Sequence, residues 1–318
     1  MEIVTKDNQA KQLTISDFLV DHLKNIIDGT PKKDVEGTPF DSRKVFLFFS
    51  VDLVNSTLFK AENPNWVPVV RDFYEMVRKH VVERDFGSII QVWKYSGDEV
   101  LFYSHVENVE SIIKAPSHLH EAMQMALSEL YDIHKEARNF LYMKGAVWMA
   151  IASENNILRE FGRSGVVTND SGENILMPQN IYFELPNCGK LDFVGTEIDE
   201  GFRMCGNAVR GKVVIDPKIA YMLANNRDLW KELVKNEVEE TVRIVGYDRL
   251  KGIWKGRMYP VIWYTKNWNK SFLYDEWDAN KFVKSAYDGD YTKIEFINKI
   301  FEDLGLSEGT VKYVKELL

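Results

Sequence analysis

The stretch "KVFLFFSVDLVNST", residues 44–57, decides how the chain is read. Its apolar residues run nearly without a break from Val45 to Val51. A continuous run of that kind suits a strand covered on both faces. The run ends on an acid, Asp52, and passes at once into a polar turn, Asn55-Ser56-Thr57. A carboxylate at the mouth of so apolar a strand needs a reason.

Working outward, residues 14–28 place Ile15, Phe18, Leu19, Leu23, Ile26 and Ile27 at helical spacing and stop at Gly29, a natural helix C-cap. A polar loop with two Gly-Thr-Pro units leads from there into the strand. After the strand, Val70, Phe73, Tyr74, Val77 and Val81 predict a helix over 67–84. "SIIQVWKYSGDEVLFYSHV" then reads as a hairpin turning at Tyr95-Ser96-Gly97-Asp98. A helix from Ser117 to about Arg138 and the strand "LYMKGAVWMAIA" complete a βαββαβ order. Residues 153–189 lack periodicity and suggest a surface excursion. The stretch "DFVGTEIDEGFRMCGNAVRGKVVIDPKIAYML" reads as helix, strand, helix, and "TVRIVGYDRL" with "MYPVIWYT" as a late antiparallel hairpin. The tail from 275 to 318 is expected to be helical, with Ile294, Ile297, Phe301 and Leu304 on one face.

These elements predict an α+β, ferredoxin-like fold with a mostly antiparallel sheet and helices grouped apart from it. Residues 43–268 would form the catalytic domain, preceded by an N-terminal helix and loop at 1–42 and followed by a C-terminal helical extension at 269–318.

The 318 residues carry a net charge of −8 and are 45% hydrophobic. That is enough apolar content for a core, and too acidic a balance for general nucleic-acid or anionic-membrane binding. Two cysteines, Cys188 and Cys205, have no metal-ligand spacing and read as free thiols of a reducing compartment. The first residues show no basic segment followed by an apolar one, so a soluble cytoplasmic protein is expected. "HLH" at 118–120 and His134 lack further ligands at suitable spacing and read as ordinary helix residues. The tryptophans Trp254, Trp263, Trp268 and Trp277 are expected to fill the core and subunit contacts.

Asp52 and Asp98 each sit beside a sharp turn. In a ferredoxin-like sheet the hairpin after the first helix brings Asp98 next to Asp52. Two carboxylates held close repel unless a cation lies between them, an arrangement common in phosphoryl chemistry. Backbone N–H groups of Asn55, Ser56 and Thr57 could face phosphate oxygens without a basic surface.

At these residues the sequence resembles the class III nucleotide cyclases. Asp52-Leu53-Val54-Asn55-Ser56-Thr57 is similar to their first metal motif, Asp-Ile-x-Gly-Phe-Thr. Lys94-Tyr95-Ser96-Gly97-Asp98 is similar to the second, Lys-Thr-Ile-Gly-Asp, and its acid lies 46 residues after Asp52. The run from Asp192 through Asp199 to Arg203 and Met204 is similar to the third, Asp-x-x-Gly-x-x-Val-Asn-x-Ala-x-Arg-Leu. The three occur in the family's order over residues 44–265.

The resemblance implies that Asp52, Asp98 and the carbonyl of Leu53 hold two Mg²⁺ or Mn²⁺ ions. It implies that Arg203 offsets charge at phosphorus, that Lys94 and Asp192 read the base, and that Lys251 or Lys255 meets the triphosphate tail. Asp199 stands where the family has a ribose-orienting asparagine, and Asn55-Ser56 replace its Gly-Phe. Sites in this family lie between subunits, which implies a head-to-tail homodimer.

These departures, the compact hairpin and the absence of a sensory module resemble the Pycsar pyrimidine cyclases of bacterial antiphage defence. That resemblance implies UTP or CTP as substrate, cyclic UMP or cyclic CMP as product, and a separate effector protein that reads it. Tyr95 and Trp93 are candidates to narrow the base pocket, of which the strand admits one. Lys94 with Asp192 would equally suit an adenine reader making cyclic AMP. A catalytically silent cyclase-like domain and a polymerase-like palm are the rival readings; the palm has no use for the Asp192–Arg203 motif.

Overall fold

A computed structural model describes residues 43–106, 108–138, 140–154, 180–184, 191–253, 256–268, 281–288 and 291–303. The expected helix at 14–28 and Cys188, Trp254, Lys255, Trp277 and Leu304 lie outside these residues.

The apolar run forms β1 (Arg43–Val54), the third strand along the main path of the sheet. It pairs antiparallel on one side with β3 (Glu99–His105) and on the other with β4 (Tyr142–Glu154). β2 (Ile90–Ser96) pairs outside β3. The order β2-β3-β1-β4 is that of a ferredoxin-like sheet, as the βαββαβ pattern predicts. β7 (Val213–Ile215), β9 (Tyr259–Tyr264) and β8 (Val242–Asp248) extend it beyond β4. Among the described strands two pairings are parallel, β4 with β7 and β4 with β5 (Asn180–Glu184), and the other six are antiparallel.

Alternation along β1 explains why it is apolar throughout. Val45, Leu47, Phe49, Val51 and Leu53 enter one core, and Phe46 and Phe48 enter another on the opposite face. α2 (Trp66–Val82), α3 (Val109–Ile133), α5 (Pro217–Asn225), α6 (Arg227–Val234) and α9 (Phe296–Asp303) contribute to the first core. α4 (Thr196–Cys205), β6 (Leu191–Gly195) and α8 (Lys281–Asp288) contribute to the second. Helices therefore cover both faces of the sheet instead of gathering on one. Two short helices, α1 (Ser56–Glu62) and α7 (Val238–Thr241), and a 3₁₀ turn at Lys135–Ala137 complete the described elements.

The polar turn after Asp52 runs straight into α1, so the amides at 55–57 stand at a helix start. Two expected boundaries need correction. α3 starts eight residues before Ser117, capped by the Asn108 side chain on the Ser111 N–H, and carries Pro116 inside it. The proline is absorbed by a helix that is buried along much of its length. The start of the "DFVGTEIDEGF" segment is not helix but β6, which pairs with β5 inside the expected excursion. A five-residue strand on a ribbon has too little periodicity to announce itself.

The ribbon β5–β6 folds back across the sheet: the Phe193 ring lies 4.9 Å from Phe46 and 4.8 Å from Phe48. α4 follows it onto the same face, and its Gly201 lies flat on the buried Trp148 indole. A Cβ at Gly201 would fall 2.2 Å from that ring. Alanine would gain about 1 kcal/mol of helix propensity, but the overlap costs more. We expect Gly201→Ala to lower unfolding stability by about 1–3 kcal/mol, read from urea denaturation; an unchanged midpoint would contradict the close approach.

Candidate active site

The first motif and the second meet at one end of the sheet. Register places Asp52 between Glu99 on β3 and Lys144 on β4. The two-residue turn Gly97-Asp98 joins β2 to β3, with Gly97 at the positive φ of 65° that the first central position of such a hairpin favours. The Leu53 N–H donates to the Asp98 carbonyl at 3.0 Å, which ties the two motifs together through backbone. The Ser56 hydroxyl donates to the Asp98 carboxylate. Asn55 takes left-handed backbone, φ 67°, and its side-chain amide donates to the Phe140 carbonyl at 3.0 Å. α1 begins at Ser56 and its first backbone bond runs from Phe59 to Asn55, so the amides of 56–58 lie ahead of the helical ladder.

Asp52, Glu99, Ser50 and Lys144 point to the same face of the sheet, the face that α4 covers. They line a cleft of about 170 Å³ together with Cys205 and Gly206 at the end of α4. Burial, reinforced by the neighbouring Asp98 and opposed by Lys144, holds the Asp52 carboxyl above its ordinary range. Glu99 is pushed the same way by burial and Asp52, against a hydrogen bond from Ser50. Lys144 Nζ lies 3.5 Å from Asp52 Oδ1.

The second motif and the third also meet. The Trp93 indole donates to Asp192 at 2.8 Å, and Lys94 Nζ stands 4.0 Å from the same carboxylate and 3.9 Å above the Trp93 ring. A β-bulge between Val92 and Lys94 makes this possible. Without it Trp93 and Lys94 would face opposite sides; with it both face α4. The same bulge turns Tyr95 to the other side, where its ring packs 5.0 Å from Tyr74 of α2. Of the two aromatics considered for the base pocket, Trp93 is the one beside Lys94 and Asp192, and Tyr95 is not.

α4 presents Asp199 and Arg203, one turn apart, on its exposed face. Its inner face holds Glu197 and Glu200 over a buried network. Lys218 Nζ bonds Glu197 at 2.8 Å and the Met149 carbonyl at 2.6 Å, and lies 3.7 Å from Asp216. Asp216 in turn caps α5. Burial, opposed by Lys218 and reinforced by Asp216, pushes Glu200 up to about 7.

Lys251 is exposed just past β8, at the end of the sheet opposite Asp52. One chain does not bring it to the two acids. His118 bonds the Val81 carbonyl at 2.9 Å, His120 faces Thr265 and His134 pairs with Asp72, which accounts for all three as structural. Among the described residues no group of three or more His, Cys, Asp or Glu is placed to hold a metal, and Cys205 is a free thiol. No helix among them is long and apolar enough to cross a membrane.

No family model and no curated protein matches the sequence. The structure is similar to solved cyclase domains at a distance. One is the adenylyl cyclase CyaB from P. aeruginosa: 12% identity, TM-score 0.47, covering 72% of this chain and 96% of that one. Another is an adenylate cyclase from Trypanosoma brucei in its monomeric state: 11% identity, TM-score 0.43, covering 73% and 92%. A third is the guanylate cyclase domain of RhGC from Catenaria anguillulae in complex with GTP: 13% identity, TM-score 0.38, covering 70% and 96%. Likeness at this distance assigns neither substrate nor activity.

Sequence reading missed Ser50, Glu99 and Lys144, because only strand register reveals what flanks Asp52. The one signal was a lysine within the apolar run of "LYMKGAVWMA". It also missed the buried acids of α4.

The Glu200 environment sets a pH dependence. Its ordinary value is about 4.5, so between there and about pH 7 the folded chain holds a proton that the unfolded chain has lost. Stability therefore falls as pH rises through that window and levels off above it. Glu200→Gln should make the slope of urea midpoint against pH shallower; an unchanged slope would contradict the burial of this carboxyl.

Proposed function

We propose that the protein is a metal-dependent nucleotide cyclase that converts a pyrimidine nucleoside triphosphate, UTP or CTP, to its 3′,5′-cyclic monophosphate and pyrophosphate. The observation that carries the reading is the assembly of three separated motifs: Asp52 beside Asp98, Lys94 beside Asp192, and Asp199 with Arg203 on an exposed helical face.

The donor set fits a hard divalent cation. Asp98 is close enough to raise the cost of ionising Asp52, and both side chains offer oxygen, as Mg²⁺ and Mn²⁺ require. Asp52, Asp98 and the Leu53 carbonyl would hold two such ions. Such ions would supply a lowered pKa for an attacking ribose hydroxyl and charge to offset the departing pyrophosphate. The remaining work falls to the chain. The amides at 56 and 57, with that of Asn55, face phosphate oxygens; Lys94 and Asp192 read the base edge; Arg203 offsets charge developing at phosphorus. Asp199 accepts a hydrogen bond from the ribose.

Arg203 faces away from the sheet that bears Asp52, and Lys251 lies at the far end of it. Both reach a two-acid site more readily from a second chain, which supports a head-to-tail homodimer with shared sites. Lys251 and Lys255 are then the candidates for the triphosphate tail.

The preference for a pyrimidine rests on Trp93. Its indole donates to Asp192 and lies under Lys94, so a bulky ring already stands against the reading pair, as the smaller pyrimidine base favours. The same pair suits adenine, which makes an adenylate cyclase the second reading. The resemblance to the Pycsar enzymes supports a cytoplasmic reaction in antiphage defence, with the product read by a separate effector.

Incubation with Mn²⁺ and each of the four ribonucleoside triphosphates, with products identified by mass, tests the proposal. A cyclic monophosphate from UTP or CTP alone is expected. One from ATP alone moves the assignment to the second reading, and none from any nucleotide favours a silent binding domain. Asp52→Asn and Arg203→Ala should each lower turnover by about 10²-fold or more. Mixing these two inactive variants should restore part of the activity; dimers without rescue would contradict the shared site.

A further inference from the structure

The two-acid site carries a basic residue that the nucleotide reading does not use. Lys144 is set directly opposite Asp52 by the β1–β4 register, and its ammonium lies 3.5 Å from Asp52 Oδ1. Side chains on both sides of this pair are a little more than one quarter exposed, 28% and 29%. The field of Lys144 also reaches Glu99, so the row Glu99–Asp52–Lys144 crosses three strands with one cation among its charges. All three line the cleft that ends at Cys205 and Gly206 of α4. A cation at this place neutralises the same carboxylate that a divalent ion would take. In the cyclase reading, a phosphoryl group held by metal at Asp52 would come beside this ammonium.

We propose that Lys144 is the resident counter-ion of this site: it holds Asp52 until a metal displaces it, and then turns to the phosphate of the bound nucleotide. The inference rests on the cyclase reading of Asp52 and Asp98. Its signature is a pair of opposed effects. Without nucleotide, the ammonium competes with metal for one carboxylate. With nucleotide, the freed ammonium adds an attraction. A lysine that merely supported the strand would weaken both kinds of binding together.

The test measures Mn²⁺ binding by electron paramagnetic resonance of the free ion, with the whole chain and no nucleotide, in the wild type, Lys144→Gln, Lys144→Arg and Asp52→Asn. A non-hydrolysable UTP analogue is then titrated at saturating Mn²⁺ by calorimetry. Lys144→Gln is expected to bind Mn²⁺ about fivefold more tightly and the analogue about fivefold more weakly, the scale of a partly exposed ion pair. Lys144→Arg should resemble the wild type in both, which separates loss of charge from loss of folding. Mn²⁺ binding by Lys144→Gln that is unchanged or weaker overturns the proposal while leaving the cyclase reading intact, provided Asp52→Asn abolishes the wild-type signal. Analogue binding that is unchanged or tighter in Lys144→Gln overturns the second half in the same way. A wild-type signal indifferent to Asp52→Asn overturns the two-acid site and the proposal with it.

Discussion

A charge cannot sit along a strand that is buried on both faces, and β1 is such a strand. Val45 to Val51 feed two cores, and the first ionisable side chain after them, Asp52, appears where the cover on the α4 side gives way to a cleft. The strand makes the carboxylate rigid because its neighbours on both sides are hydrogen-bonded, and the cleft makes it reachable. Everything proposed for this protein depends on that placement. A carboxylate so held is costly to ionise alone, which is why Lys144, and in the functional reading a metal, belongs beside it.

The rest of the site is organised by α4. Its inner face is pinned by Gly201 against Trp148 and by Glu197 on Lys218, so the rotation of the helix about its axis has little freedom. Asp199 and Arg203 are thereby turned outward as a pair. A buried ion network of this kind adds little net stability, since desolvation offsets much of the attraction. Its value here is directional: it holds one face of the helix in and the other out.

One extra residue in β2 has a comparable effect. The bulge after Val92 brings Trp93 and Lys94 onto the face where Asp192 arrives from the β5–β6 ribbon, and sends Tyr95 to the helices behind the sheet. A strand without it would separate the lysine from the indole it now covers. The ribbon itself reaches this place only because Phe193 finds a pocket among Phe46, Phe48 and Trp93.

The amino-acid sequence by itself determined the central elements. A continuous apolar run, a glycine at a tight turn and amphipathic periodicity are local properties, so β1, the β2–β3 hairpin, α2 and the late β8–β9 pair were legible from Phe46, Gly97, Val70 and Trp263 onward. Asp52 and Asp98 pointed to one site from their places beside sharp turns, and Asp192 and Arg203 joined them through the resemblance to a family's ordered motifs. Only the tertiary structure decided that helices cover both faces of the sheet, that β6 is a strand, that Lys144 and Glu99 flank Asp52, and that Tyr95 leaves Lys94. Each of these depends on register, on a bulge or on packing between segments far apart in the chain, and such contacts are set by the free energy of the whole fold and not by any local run of residues.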